Sequence, residues 1–167
     1  AQASTELTAA LDGGELNTAE DIASLLSEMK AAFYSVGSGR FLLTTVSAML
    51  GRGEKIQIVS AGDSPVFLIT SEGHKRLSGR AVWFLHVGVA RAIGASETMG
   101  EVAQVEITPA SGDRILLATD GITDNMTIEE LAEVVRNAET PEAAASTIED
   151  TIKERLQVCR VLDLILT

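Results

Sequence analysis

Gly112-Asp113-Arg114-Ile115-Leu116-Leu117-Ala118-Thr119-Asp120-Gly121-Ile122-Thr123-Asp124 is the most informative stretch of the chain. Gly112-Asp113 is turn chemistry, because both residue types tolerate the backbone that a tight reversal needs. Arg114 to Thr119 is a short apolar run and reads as a buried strand. The strand empties into Asp120-Gly121, and Asp124 stands four residues later, so one turn can aim both carboxylates at one point. An earlier stretch, Ile58-Val59-Ser60-Ala61-Gly62-Asp63-Ser64, also runs an apolar strand into an aspartate beside glycine. A buried strand fixes the backbone and its end projects a carboxylate. Glycine there lets a hard cation and its waters approach the main chain. Taken singly, each Gly-Asp or Asp-Gly pair is also plain turn chemistry.

Outward from these two stretches the pattern is strand-rich in the middle and helical at both ends. Thr18 caps a helix with Glu20 and Asp21 at the positive end of its dipole. Ile22, Leu25, Leu26, Met29 and Phe33 give it one apolar face, and Gly37-Ser38-Gly39 ends it. Strands follow at Phe41 to Leu50, Lys55 to Ala61 and Val66 to Thr70, with a short return at Lys75 to Leu77. In the second strand Ile56 and Ile58 share a face and Val59 takes the other; Ser60 lies on the Ile58 face with its burial open. Residues 78–100 read either as a strand plus a short helix or as a long loop with local helix around Val87 to Ile93. Gln104 to Thr108 is another strand. Thr127 caps a helix to Asn137, Thr140-Pro141-Glu142 opens a second to about Leu156, and Val161 to Leu166 reads as a final strand. Residues 1–17 offer little to pack. The expectation is α+β: two packed antiparallel sheets flanked by helices.

Composition narrows the function. The chain has 167 residues, enough for one domain with a sizeable core. A net charge of −11 argues against non-specific nucleic-acid binding and is compatible with cations. No apolar run reaches the length of a membrane span. One cysteine, Cys159, permits no internal disulfide and no thiolate zinc site. The expected location is cytoplasmic, with no nucleic acid and no membrane among the partners.

The Gly112–Asp124 stretch resembles the late signature of the type-2C (PPM-type) metal-dependent serine/threonine phosphatases and their bacterial stress-response relatives. Met126-Thr127-Ile128-Glu129-Glu130-Leu131 continues it as the expected helix. Ala61-Gly62-Asp63-Ser64 with Val66-Phe67-Leu68-Ile69 is similar to the earlier strand-turn-strand signature. Leu43-Thr44-Thr45-Val46 and Val89-Ala90-Arg91-Ala92-Ile93-Gly94 are similar to further segments, in order, over residues 40–136. The resemblance implies a sandwich of two antiparallel sheets, with 1–167 as one phosphatase-like domain shortened at its N-terminal side. It implies Mn²⁺ or Mg²⁺ at Asp120 and Gly121, with Asp124 and Asp63 holding a weaker additional metal. It also implies a metal-activated water that attacks phosphoserine or phosphothreonine of a phosphoprotein substrate.

The family pattern is incomplete here. Its first strand, with a phosphate-gripping Arg, has no counterpart, and a base such as Arg40, Arg80 or Arg91 either takes that task or is a solvated surface charge. Leu11-Asp12-Gly13-Gly14 is a contracted echo of the family's Asp-Gly-X-Gly-Gly, so Asp12 is a metal ligand or an ordinary turn residue. Asp163 stands where a late ligand is expected, a residue or two too deep in the strand. Pro65 replaces the Arg usual after Gly-Asp-Ser. His74 is expected exposed in a polar turn, His86 as a core or edge histidine, Cys159 as a small buried hydrophobe, and Trp83 and Phe84 as core. Glu149, Asp150, Lys153, Glu154 and Arg155 read as a solvated helix face. Three functions follow: a phosphoprotein phosphatase or its weakly active remnant, a non-catalytic phosphatase-like module that binds a regulatory protein, or an unrelated acidic domain with structural turns.

Overall fold

The computed structural model of the chain describes residues 5, 8–10, 12–14, 17–37, 45–78 and 102–165. In chain order the elements are α1 (Ala19–Gly37), β1 (Val46–Arg52), β2 (Lys55–Ala61), β3 (Val66–Ile69), β4 (His74–Ser78), β5 (Ala103–Ile107), β6 (Arg114–Leu117), α2 (Asp120–Thr123), α3 (Ile128–Asn137) and α4 (Pro141–Ile165). Helical backbone also occurs at Thr8–Ala10 and Asp12. The strands form two three-stranded sheets, ordered β1-β2-β5 and β4-β3-β6, and every pairing is antiparallel. The α+β sandwich expected from the sequence is the architecture observed.

Local chemistry accounts for the helix starts. Thr18 Oγ1 accepts the N–H of Asp21 at 3.1 Å, and Asp21 Oδ2 accepts the N–H of Thr18 at 2.7 Å. The same reciprocal box joins Thr127 and Glu130 at the start of α3. At α4, Thr140 Oγ1 accepts from Ala143 N–H and Pro141 occupies the first helical position. Between β1 and β2 the loop is only Gly53-Glu54, with Arg52 paired to Lys55 and Gly53 at φ 59°, so β1 extends further than its sequence suggests.

Each sheet carries helices on its outer face. Ile22, Leu26 and Met29 of α1 pack on Val59 and Ala61 of β2. Phe67 and Ile69 of β3 pack beneath Leu131, Ala132 and Val135 of α3 and Ala144 and Ile148 of α4. Alternation along the strands then turns Ile58, Ser60 and Val66, all buried, to the opposite faces, where β4 contacts β2 and β5. Full burial of side chains such as Leu26, Ile58 or Leu131 contributes about 1.5–3 kcal/mol each.

Two expectations are corrected. Residues 161–165 belong to α4, which runs unbroken from Pro141 to Ile165. No Gly or Pro interrupts that stretch, and a short apolar run carries no period of its own to separate strand from helix. The N-terminal region packs more than expected: Ala10 is buried within a helical turn. Residues 79–100, with Arg80, Trp83, Phe84, His86 and Arg91, lie outside the described residues, as do Arg40 and residues 41–44.

Candidate metal centre

The β4-β3-β6 sheet brings two of the predicted aspartates to one end. Val66 opens β3 opposite Leu117, the last residue of β6. The ladder continues one step further, where Ala118 N–H donates to the Pro65 carbonyl at 3.0 Å. Asp63 lies two residues before Pro65 and Asp120 two residues after Ala118, so both leave neighbouring strands at the same mouth.

The turn into β3 is rigid around Asp63. Gly62 has φ +115°, and a Cβ there would lie 2.5 Å from Thr45 Cγ2. Only glycine fits both the backbone and the space. Thr45 Oγ1 and Ser64 Oγ share a 2.8 Å hydrogen bond, and Ser47 Oγ donates to the Ser64 carbonyl at 2.8 Å. Ser60, buried, meets Ser47 Oγ at 3.4 Å. Asp63 between these anchors is half-buried.

The turn out of β6 carries the other two acids. Thr119 is extended, and Asp120 opens α2. Asp124 caps that helix, its N–H donating to the Asp120 carbonyl at 2.7 Å. Asp120 Oδ1 accepts Gly121 N–H at 2.7 Å, and Asn125 Nδ2 donates to the Gly121 carbonyl at 2.8 Å. Asp120, Gly121 and Asp124 are exposed, while Met126 just beyond them is buried in the core under α3.

Arg155 of α4 holds this segment from the far side. Its Nη1 donates to the Asn125 carbonyl and to Glu130 Oε2, and its Nη2 donates to Glu130 Oε1 at 2.6 Å. Glu130 also accepts Thr127 N–H at 2.8 Å. The Arg155 guanidinium first, and the Thr127 N–H next, hold the Glu130 carboxyl down at about 2. The sequence placed Arg155 on a solvated face. Its partners lie 25 and 30 residues away, so no local spacing announces them. The neighbouring Glu149–Lys153 pair, at 2.6 Å, is the exposed i,i+4 contact expected.

The remaining candidates are placed as follows. Asp12 is exposed on a helical turn in which Gly13 N–H donates to the Ala9 carbonyl at 2.9 Å, and Gly14 follows at φ 73°. That is a helix ending on glycine, not the end of a strand. Asp163 belongs to the last turns of α4. Cys159 belongs to the same helix instead of following it, and His74 is exposed at the start of β4 instead of in a turn. Asp113 serves its own turn, accepting Ala110 N–H at 2.9 Å. Among the described residues, no three His, Cys, Asp or Glu side chains form a group able to hold a metal ion. Asp120 turns one oxygen back onto Gly121.

A sandwich of this topology is the fold of the PPM-type serine/threonine phosphatases. Solved structures share it. PppA, a key regulatory component of T6SS in Pseudomonas aeruginosa, is 19% identical with a TM-score of 0.71, over 80% of this chain and 62% of its own. The catalytic domain of the serine/threonine protein phosphatase PstP, solved with 2 manganese ions, is 21% identical with a TM-score of 0.68, over 90% of this chain and 74% of its own. A bacterial serine phosphatase is 15% identical with a TM-score of 0.73, over 89% of this chain and 67% of its own. The chain thus spans about three fifths to three quarters of these structures. No curated protein sequence matches it. The chain belongs to the family described as Stage II sporulation protein E (SpoIIE), whose family model matches residues 1–163.

Proposed function

We propose that the chain is a metal-dependent phosphoprotein phosphatase domain of weak activity, with Asp63, Asp120 and Asp124 as carboxylate ligands of Mn²⁺ or Mg²⁺. The observation that supports this most is the Ala118–Pro65 hydrogen bond, which sends Asp63 and Asp120 out of one sheet mouth. Carboxylates and a nearby glycine carbonyl are the oxygen donors such cations take. Bound there, the cations supply an activated water and a clamp on the phosphoryl oxygens of a phosphoserine or phosphothreonine. The chain's own part is positional. Gly62 and the Thr45–Ser64–Ser47 contacts hold the backbone at Asp63, and the α2 turn holds Asp120 and Asp124. The cytoplasm is the proposed location. No helix among the described residues is long and apolar enough to cross a membrane.

Weak turnover follows from the donor count. A bridged pair of cations needs more carboxylates than one sheet mouth supplies. Asp12 and Asp163 are the proposed candidates for the rest, and both stand on helical backbone. That same placement favours a second reading, a non-catalytic phosphatase-like module that docks on a regulatory protein. Phosphate release from a phosphothreonine peptide with Mn²⁺ separates the two. The proposal expects slow release that Asp120→Asn abolishes. No release in any condition supports the docking module. Robust release lost in both Asp12→Asn and Asp120→Asn would establish the full mechanism and overturn the expectation of weak activity.

A further inference from the structure

We infer that the outer edge of β6 is a docking site for an extended, basic-flanked peptide of a partner protein, which adds to the β4-β3-β6 sheet as a further strand. Among the described residues β6 pairs with β3 alone, so it ends the sheet. The Ala118–Pro65 bond marks a hydrogen-bonded position, and in an antiparallel ladder such positions alternate with open ones. By that alternation Arg114 and Leu116 bond to β3, while the N–H and C=O of Ile115 and Leu117 point away from it. Those main-chain groups are what an added strand bonds to.

The two edges of this sheet are built differently. β4 sets His74, Lys75 and Arg76 along its edge and carries a bulge where Val66 and Phe67 change register. Charges and bulges keep further strands from adding. β6 has one charged side chain, Arg114, and its guanidinium donates to the Val135 carbonyl. Leu117 stays 39% exposed. Beside this edge a groove of about 520 Å³ runs between β6 and the first turns of α4, lined by Ile115, Leu116, Leu117, Ala144, Ala145 and Ile148. Acids stand on its rim: Asp113 just before β6, and exposed Glu139 just before α4. The chain as a whole carries a charge of −11. Two copies meeting edge to edge would set these acids against each other, so the surface suits a partner segment with Lys or Arg at its ends and apolar residues at alternate positions.

Fluorescence polarisation with a short labelled peptide of alternating Val and Thr, with paired Lys at both ends, tests the inference. The purified chain is expected to bind it saturably, and the amides of Ile115 and Leu117 are expected to exchange hydrogen more slowly in the complex. Replacing the central Val residues of the peptide by Pro, which cannot donate to the edge, is expected to weaken binding about tenfold. Replacing its Lys by Glu is expected to weaken it as well. In the protein, Leu117→Lys is expected to weaken binding about tenfold, with the melting temperature unchanged because the position is exposed. Equal binding of the Pro peptide, with no added protection at Ile115 and Leu117, would reduce the attraction to charge alone and overturn the inference. So would no binding at all, or a dimer of the chain that Leu117→Lys converts to monomer, which would make a second copy the occupant.

Discussion

Pro65 and Ala118, both buried, are joined by a single main-chain hydrogen bond of 3.0 Å that closes the mouth of the β4-β3-β6 sheet. It is the last rung of the β3–β6 ladder. Beyond it the two strands part, each carrying an aspartate two residues on. Proline has no N–H to give, but its carbonyl is available, so Pro65 can accept the rung while its ring fixes the entry of the chain into β3. The Gly-Asp patterns matter because of this rung: it turns two separate turn motifs into one place.

Gly62→Ala is expected to destabilise the fold by at least ~2 kcal/mol, from the left-handed backbone and the overlap with Thr45 together. Urea denaturation measures it. Thr45→Ser alongside Gly62→Ala is expected to recover little, because serine keeps the Thr45 Cβ, which would lie 2.6 Å from the new Cβ.

Acid titration separates the Arg155–Glu130 clamp from the rest of the protein. The carboxyl of Glu130 is lowered in the fold from 4.5 to about 2. A depressed carboxylate stabilises the native state fully above its unfolded value, and that contribution is lost as pH falls through the folded value. Wild type is therefore expected to be more stable than Glu130→Gln at pH 6, with the difference shrinking between about pH 4.5 and about pH 2. A difference that stays constant over that range would assign the loss to packing. Added salt is expected to narrow the gap at pH 6, since the pair is exposed.

The sequence made the helix starts and most strand positions legible because both are written locally. Thr18, Thr127 and Thr140-Pro141 announce their caps, and Gly62-Asp63 and Asp120-Gly121 mark the strand ends. What was not legible is long-range or lacks a period. Val161 to Leu166 is apolar in a way that suits strand and helix equally, and only its continuity with α4 decides. Asp12 beside Gly13-Gly14 looks like a motif remnant, while its helical hydrogen bonding belongs to Ala9. Arg155 looks like any exposed helix arginine until the fold brings Asn125 and Glu130 to it.

Leu131→Ala probes the union of sheet and helices. Leu131 is fully buried among Phe67, Ile69, Ala144 and Ile148 in the outer core. The change is expected to cost about 2–5 kcal/mol, from lost transfer energy plus the cavity left behind. Guanidinium unfolding followed by circular dichroism checks it. A loss below about 1 kcal/mol would mean that α3 does not rest on β3 as described.

Calorimetric titration of Mn²⁺ into the purified chain, with Asp63→Asn, Asp120→Asn and Asp124→Asn beside it, tests the account most directly. Wild type is expected to bind Mn²⁺ saturably, with binding abolished by Asp120→Asn and weakened by each of the other two substitutions. Binding that survives Asp120→Asn unchanged, or no binding by wild type, would contradict it.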